Sequence, residues 1–423
     1  MTPRLDVRGA DRAHIWHPYT QHAAASDPIV VARASGAYLH DDAGRAIFDA
    51  ISSWWVTLHG HANSRIANAI AEQAATLEQV IFAGFTHEPA TKLAAALLEV
   101  APTGLTRVFY SDDGSTAVEV AVKMAIQYWR NAGESRRTIV ALEHAYHGDT
   151  FGAMSASARS VFTTAFDAYL FEVARLGDPS SSDVAEQFAA LLAERERDIA
   201  AVIVEPMLLG AGGMRVWPAN QLRRLRELTE ATGIPLIADE VLTGFGRTGP
   251  LFACEHASIS PDIMCLSKGL TGGFLPMGAT LTTSAIFDRF SSPDATHTLF
   301  HGHSYTANPI ACAAALASLE LLDAECADRR RVIERAHGHA VERFRAHARV
   351  AAVRVLGTMF ALDVRGEPGY LSATSSRCRT FALERGVLLR PLGNTLYLLP
   401  PYCATRDDLA RAYDVIDEFL STT

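Results

Sequence analysis

The chain has 423 residues, 49% of them hydrophobic and 20% charged, and its formal net charge is −9. Such a length allows a large core spread over two or three domains, while the lack of a basic excess excludes nucleic acid or an anionic membrane surface as a partner. Six cysteines without a C-x-x-C pair, no apolar run near the roughly 18 residues of a spanning helix, and a charged opening unlike a secretory leader point to a reduced, cytoplasmic protein.

In chain order, the first segment (1–60) carries a hairpin pattern in GAYLHDDAGRAIFDA. Strand-like and helix-like runs then alternate. RVFYS (107–111) precedes the helical STAVEVAVKMAIQYWRNAG; TIVALE (138–143) and AAVIVEP (200–206) come next, followed by the amphipathic PANQLRRLRELTEATG, which closes at Gly233. PLIADEV (235–241), IMCLSKG (263–269) and GATLTT (278–283) complete the series. Short apolar, β-branched runs separated by helices predict an α/β domain over 61–310, with a mostly parallel sheet covered on both faces.

From Ala311 the pattern changes. One long Ala/Leu-rich helix (CAAALASLELLDAECADRRRVIERAHGHAVERF) leads into a strand pair, VRVLGTMFALDV. VLLRPLGNTLYLLPPY then reads as a hairpin around Gly393-Asn394. Residues 311–423 are expected to form a smaller α+β domain, packed with residues 1–60.

Ligands of open parallel sheets sit beyond the carboxyl ends of the strands. Two of the expected strands end there in a complementary pair: PLIADEV carries Asp239 and IMCLSKG carries Lys268. An ammonium at the end of an apolar strand is costly to bury, and burial lowers its pKa, as a Schiff-base lysine requires. A nearby carboxylate can keep a pyridine nitrogen protonated. Asp112-Asp113-Gly114-Ser115-Thr116 follows a strand and opens a helix, so its backbone N–H groups can bind a phosphate; an ordinary N-cap has the same residue types. Tyr146, just beyond TIVALE, can cover a ring or be a hydrogen-bonded core residue.

Two other patterns are weaker. Gly244-Phe245-Gly246-Arg247-Thr248-Gly249 matches G-x-G-x-x-G, but Pro250 interrupts the helix a dinucleotide site needs. His297, His301 and His303 cluster without zinc-ligand spacing, so no metal is expected.

With these residues assembled, the chain resembles the class III, fold-type I pyridoxal-phosphate (PLP) aminotransferases along nearly its whole length. IVEPMLLGAGGM, PLIADEVLTGFGRTG and PDIMCLSKGLTGGFLPMGA carry that resemblance. HIWHPYT (14–20), SSWWVTLHGHAN (52–63), AYHGDTFGAMS (145–155) and LLRPLGNTLYLLPPY (388–402) are similar to the branch of the class that serves biotin synthesis. The resemblance implies Lys268 as the PLP-bearing base and Asp239 as the partner of the ring nitrogen, with Tyr19 a further catalytic group. It implies Tyr146 on the ring face, with Gly114 and Ser115 at the phosphate, and Ser304 reaching that phosphate across a homodimer interface. Tyr19, Trp54, Trp55, Tyr146, Asp149 and Gly302 would line the substrate pocket, and Arg247 and Arg390 would recognise the substrate. The implied substrates are small molecules: 8-amino-7-oxononanoate as acceptor, and S-adenosylmethionine or lysine as donor. Other ω-amino-acid aminotransferases share the scaffold and are the nearest alternative.

Overall fold

Seven short segments from the middle of the chain join in one sheet in the computed structural model, which describes residues 5–366, 369 and 372–422. Their order across the sheet is Leu105–Ser111, Gly278–Thr283, Ile263–Leu266, Leu236–Asp239, Ile199–Val204, Thr138–Leu142 and Val173–Leu176. Gly278–Thr283 runs antiparallel to both neighbours, and every other pairing is parallel. The sheet is therefore mostly parallel, as the alternating pattern predicts. Ile199–Val204 is buried at all six positions, because helices on both faces leave no water-facing side to demand polar residues.

Local chemistry sets the covering helices. Gly114–Asn131 starts at Asp113, whose side chain accepts from the Thr116 N–H at 2.8 Å while the Thr116 hydroxyl accepts from the Asp113 N–H at 3.1 Å. This reciprocal cap satisfies two otherwise orphaned donors. Ala219–Thr232 stops at Gly233, whose φ of 66° suits a residue without a Cβ. The buried side chains of Gly114–Asn131 pack onto the apolar strands in one continuous core.

Three smaller sheets accompany the large one among the described residues, one of them only the pair Leu208–Leu209 and Arg215–Val216. Val31–Ser35, Tyr38–Asp41 and Ala46–Asp49 form antiparallel neighbours, and Val387–Leu388 from the far end of the chain adds in parallel beside Ala46–Asp49. Val350–Leu356, Met359–Val364 and Thr395–Leu398 make a separate antiparallel sheet. No helix among the described residues is long and apolar enough to cross a membrane.

Two expectations are corrected. The long helix from Ala311 is broken into Pro309–Glu320 and Ala324–Arg345, because Asp323 turns out of the helix and caps the second one through the Cys326 N–H. The hairpin around Gly393-Asn394 is not a hairpin. Its turn is present, closed by a single bridge between Leu392 and Thr395, but its arms enter different sheets. Residues 244–249 form successive turns and no helix, so they lack the helix start of a dinucleotide site.

Candidate active site

The carboxyl ends of the parallel strands open onto a cavity of about 1560 Å³. Asp239 is the last residue of its strand and pairs with Cys265 on the neighbouring one. Two residues beyond that neighbour's end, Lys268 takes a φ of 40° and turns into the cavity wall. Gly114, Ser115, Tyr146, Asp239 and Lys268 all lie on that wall. A Cβ at Gly114 would stand 2.7 Å from Val241 Cγ1, so only glycine lets the helix start come this close.

Charge in this corner is concentrated and dry. Burial pushes the Lys268 amine below its ordinary value, and Arg247 adds to that, while Asp239 and Glu205 oppose it. Glu205, just past the Ile199–Val204 strand, accepts from the N–H groups of Tyr146 and Gly210, each at 2.9 Å. Burial first, and then Asp239, push its carboxyl up to about 7 against the pull of His147 and those two N–H donors. His147 Nδ1 lies 2.7 Å from Asp239 Oδ2, and the second Asp239 oxygen accepts from the Val241 N–H at 3.1 Å. His147 Nε2 is buried without a partner among the described residues.

The opposite wall comes from remote parts of the chain. The Tyr19 hydroxyl donates to Asp149, and the Tyr19 ring stands edge-on to Trp54 and Phe162. Ser52, Ser53, Trp54 and Trp55 all have positive φ, between 44° and 76°. For L-residues that left-handed turn costs about 1–2 kcal/mol per residue. It is held by the Ser52 hydroxyl on the Leu399 carbonyl and by the Ser53 hydroxyl on Asp49, each at 2.7 Å. Trp55 Nε1 donates to the Tyr397 hydroxyl at 3.0 Å. The Arg390 guanidinium lies 4.2 Å from the centre of the Trp54 ring, and Lys268 Nζ lies 5.0 Å from that of Trp55.

The residues expected at the site thus fall into four groups. Lys268, Asp239, Gly114, Ser115, Tyr146, Tyr19, Trp54, Trp55 and Asp149 line the same cavity. Arg390 reaches this group through Trp54. Gly302 and Ser304 stand apart on an exposed segment, where the Ser304 carbonyl accepts from Gln79. Arg247, the other arginine implied to recognise substrate, is not among the residues lining the cavity. It is buried, its guanidinium donating to the carbonyls of Pro400 at 2.9 Å and Trp55 at 3.1 Å, so it braces the back of the Trp55 turn.

Sequence reasoning missed His147 and Glu205. Both had a signal: each is a polar residue directly after an apolar strand or its turn, in HAYHGDT and IVEP. What the arrangement offers chemically is a buried amine opposite a buried carboxylate, an aromatic face beside them, and a helix start suited to an anion.

Comparison with known proteins agrees with that chemistry. Residues 19–420 match the family model described as aminotransferase class-III. A protein of Synechococcus elongatus named adenosylmethionine-8-amino-7-oxononanoate aminotransferase is 52% identical over 418 residues, covering 96% of this chain and 98% of that one. A protein of the same name from Aquifex aeolicus is 37% identical, covering 96% and 95%. The crystal structure of such an enzyme from Methanocaldococcus jannaschii superposes with a TM-score of 0.95 at 33% identity over 98% of both chains. An amine transaminase from an uncultivated Pseudomonas species, solved with PLP bound, gives 0.89 at 33% identity over 96% of this chain and 98% of that one.

Proposed function

The chain belongs to the class III aminotransferases, and from that premise we propose that it aminates 8-amino-7-oxononanoate to 7,8-diaminononanoate in biotin synthesis, taking the amino group from S-adenosylmethionine. The observation that carries the reaction type is the buried Lys268 amine facing Asp239 across neighbouring strand ends. The choice of substrates is supported by relatives of that name that align along nearly the whole chain.

The residues present fit PLP. Gly114, Ser115 and the helix start behind them suit its phosphate, Asp239 suits its ring nitrogen, and Tyr146, tied at its N–H by Glu205, suits its ring face. When bound, PLP supplies an electron sink for the bond broken at the amine-bearing carbon of the substrate.

Lys268 would hold the cofactor through Nζ and, once freed by the donor, would take the proton from the donor's Cα. Desolvation keeps enough of that amine neutral to act as a base. Asp239 keeps the ring nitrogen protonated, and His147 keeps Asp239 aimed. Tyr19 and Asp149 orient the amino end of the substrates, and Trp54 walls the aliphatic chain of the acceptor. Arg390 grips its distal carboxylate with a planar fork. One enzyme form accepts the amino group and then passes it on, so the kinetics are ping-pong.

A homodimer places Ser304 at the phosphate site of the second copy and brings Gly302 to the pocket rim. Phe300 and Tyr305, flanking that segment, are 74% and 66% exposed, an apolar surface that a second copy would cover. The cytoplasm suits the five buried and one half-buried free thiols.

Half-reactions test the reading. S-adenosylmethionine is expected to bleach the visible absorbance of the holoenzyme, and 8-amino-7-oxononanoate to restore it. Bleaching by lysine and not by S-adenosylmethionine would overturn the donor; no restoration by the oxononanoate would overturn the acceptor.

A further inference from the structure

The two adjacent tryptophans of the left-handed turn each face a different cation. Trp54 lies under Arg390 and Trp55 under Lys268. The rings differ in what they offer to substrate. Trp54 is half-buried at the cavity, beside Tyr19, whereas Trp55 is only 4% exposed. Trp55 is also secured from three directions: by the Tyr397 hydroxyl at Nε1, by Arg247 at its carbonyl, and by the Tyr397 ring standing edge-on with centroids 6.2 Å apart. The bond at Nε1 is what any buried indole N–H requires; together with the carbonyl and edge-on contacts it also holds the ring's orientation, on which the attraction of a cation lying over its face depends.

On the premise that the chain is a PLP aminotransferase, we propose that Trp55 is a positioning residue for Lys268, its indole face stabilising the protonated form of Nζ, while Trp54 and Arg390 serve the substrate. During turnover Nζ takes a proton from the donor's Cα, leaving the electron pair of that bond with the cofactor, and later returns a proton, so no further reactant is consumed. The other groups facing Nζ are Asp239 from the adjacent strand with His147 behind it, Glu205 from the next strand along, and Arg247 from the turns at 244–249. The two carboxylates favour the charged amine, and burial and Arg247 oppose it. Trp55 differs from all of them. Its pull on the cation does not change as pH or bound substrate alters the charges around it.

The test uses full-length holoenzyme carrying Trp55→Phe or Trp55→Leu, with Trp54→Leu for comparison. The primary readout is the pH midpoint of the visible absorbance of the Lys268-linked cofactor. Removing a face that favours the protonated form lowers the midpoint. Trp55→Leu is expected to lower it by about one pH unit, roughly tenfold in proton affinity, and Trp55→Phe by less, because a benzene face attracts cations more weakly than an indole. Tyr397→Phe loosens the indole without emptying the core and is expected to shift the midpoint in the same direction by a smaller amount. Trp55→Leu should lower kcat more than it raises KM, and Trp54→Leu should raise KM for the acceptor with the midpoint unmoved. An unchanged or raised midpoint in the Trp55 variants overturns the proposal and leaves Trp55 as a wall. Wild-type protein that shows no cofactor absorbance at all would instead overturn the aminotransferase reading beneath it.

Discussion

The two walls of the cavity are built in opposite ways. On the cofactor side, Asp239 and Lys268 are carried at or just beyond the ends of hydrogen-bonded strands, and Gly114 at the helix start that follows one. On the substrate side, Tyr19, Trp54, Asp149 and Arg390 come from four distant stretches of chain and meet through side-chain contacts. A sheet can hold reactive groups to a fraction of an ångström because its backbone ladder is shared by every strand. Side chains on loops can be exchanged one at a time without disturbing that ladder. Under the proposed function, the contrast separates a rigid apparatus for the reaction from an adjustable one for the choice of substrate.

Substitutions should divide along the same line. Lys268→Ala is expected to have the largest effect, lowering kcat on the order of 10⁴-fold and abolishing the visible absorbance; a coloured, active variant would break the comparison at its strongest point. Asp239→Asn should follow, with kcat reduced by on the order of 10²-fold and KM little altered, because a neutral amide cannot hold the ring nitrogen protonated. On the other wall, Arg390→Ala should raise KM for 8-amino-7-oxononanoate by about 30-fold, near 2 kcal/mol, with the half-reaction of the donor largely kept. A fall in kcat for both half-reactions would show that Arg390 belongs to the reaction apparatus instead.

The smallest effect concerns stability. The Glu205 carboxyl is raised to about 7 in the fold, above its unfolded value, so its contribution is full at acid pH and is lost as pH rises through 7. Thermal unfolding of the apoenzyme at pH 5 and pH 8 should show Glu205→Gln losing less stability than wild type over that interval, by on the order of 1–2 kcal/mol. Equal losses would remove Glu205 from the buried charge balance of the reaction wall.

The same division governs what could be read in advance. Lys268 and Asp239 stand out in the sequence because each interrupts or ends a short apolar run, and the period of that run already implies a strand. Their being neighbours depends only on two consecutive parallel strands. The partnership of His147 with Asp239 needs the position of the Thr138–Leu142 strand, set by the order across the whole sheet. The burial of Arg247 was not legible in its turn, because it depends on the carbonyls of Pro400 and Trp55, which come from distant segments. Gly393-Asn394 marked a real turn, yet turn chemistry says nothing about which strands its arms will join. Pro391, which has no N–H to add to a ladder, sits where the first arm leaves.

The reversed strand Gly278–Thr283 has a consequence for how the protein comes to exist. Leu105–Ser111, which delivers the chain to the turn proposed to hold the phosphate, lies at the edge of the sheet and pairs only with that strand. A ribosome emits the two segments far apart in time, and everything between them must wait or form first. The anion-binding end of the cavity is therefore expected to be among the last parts of the large sheet to lock during synthesis, and a nascent chain stalled before Gly278 should be unable to capture the cofactor.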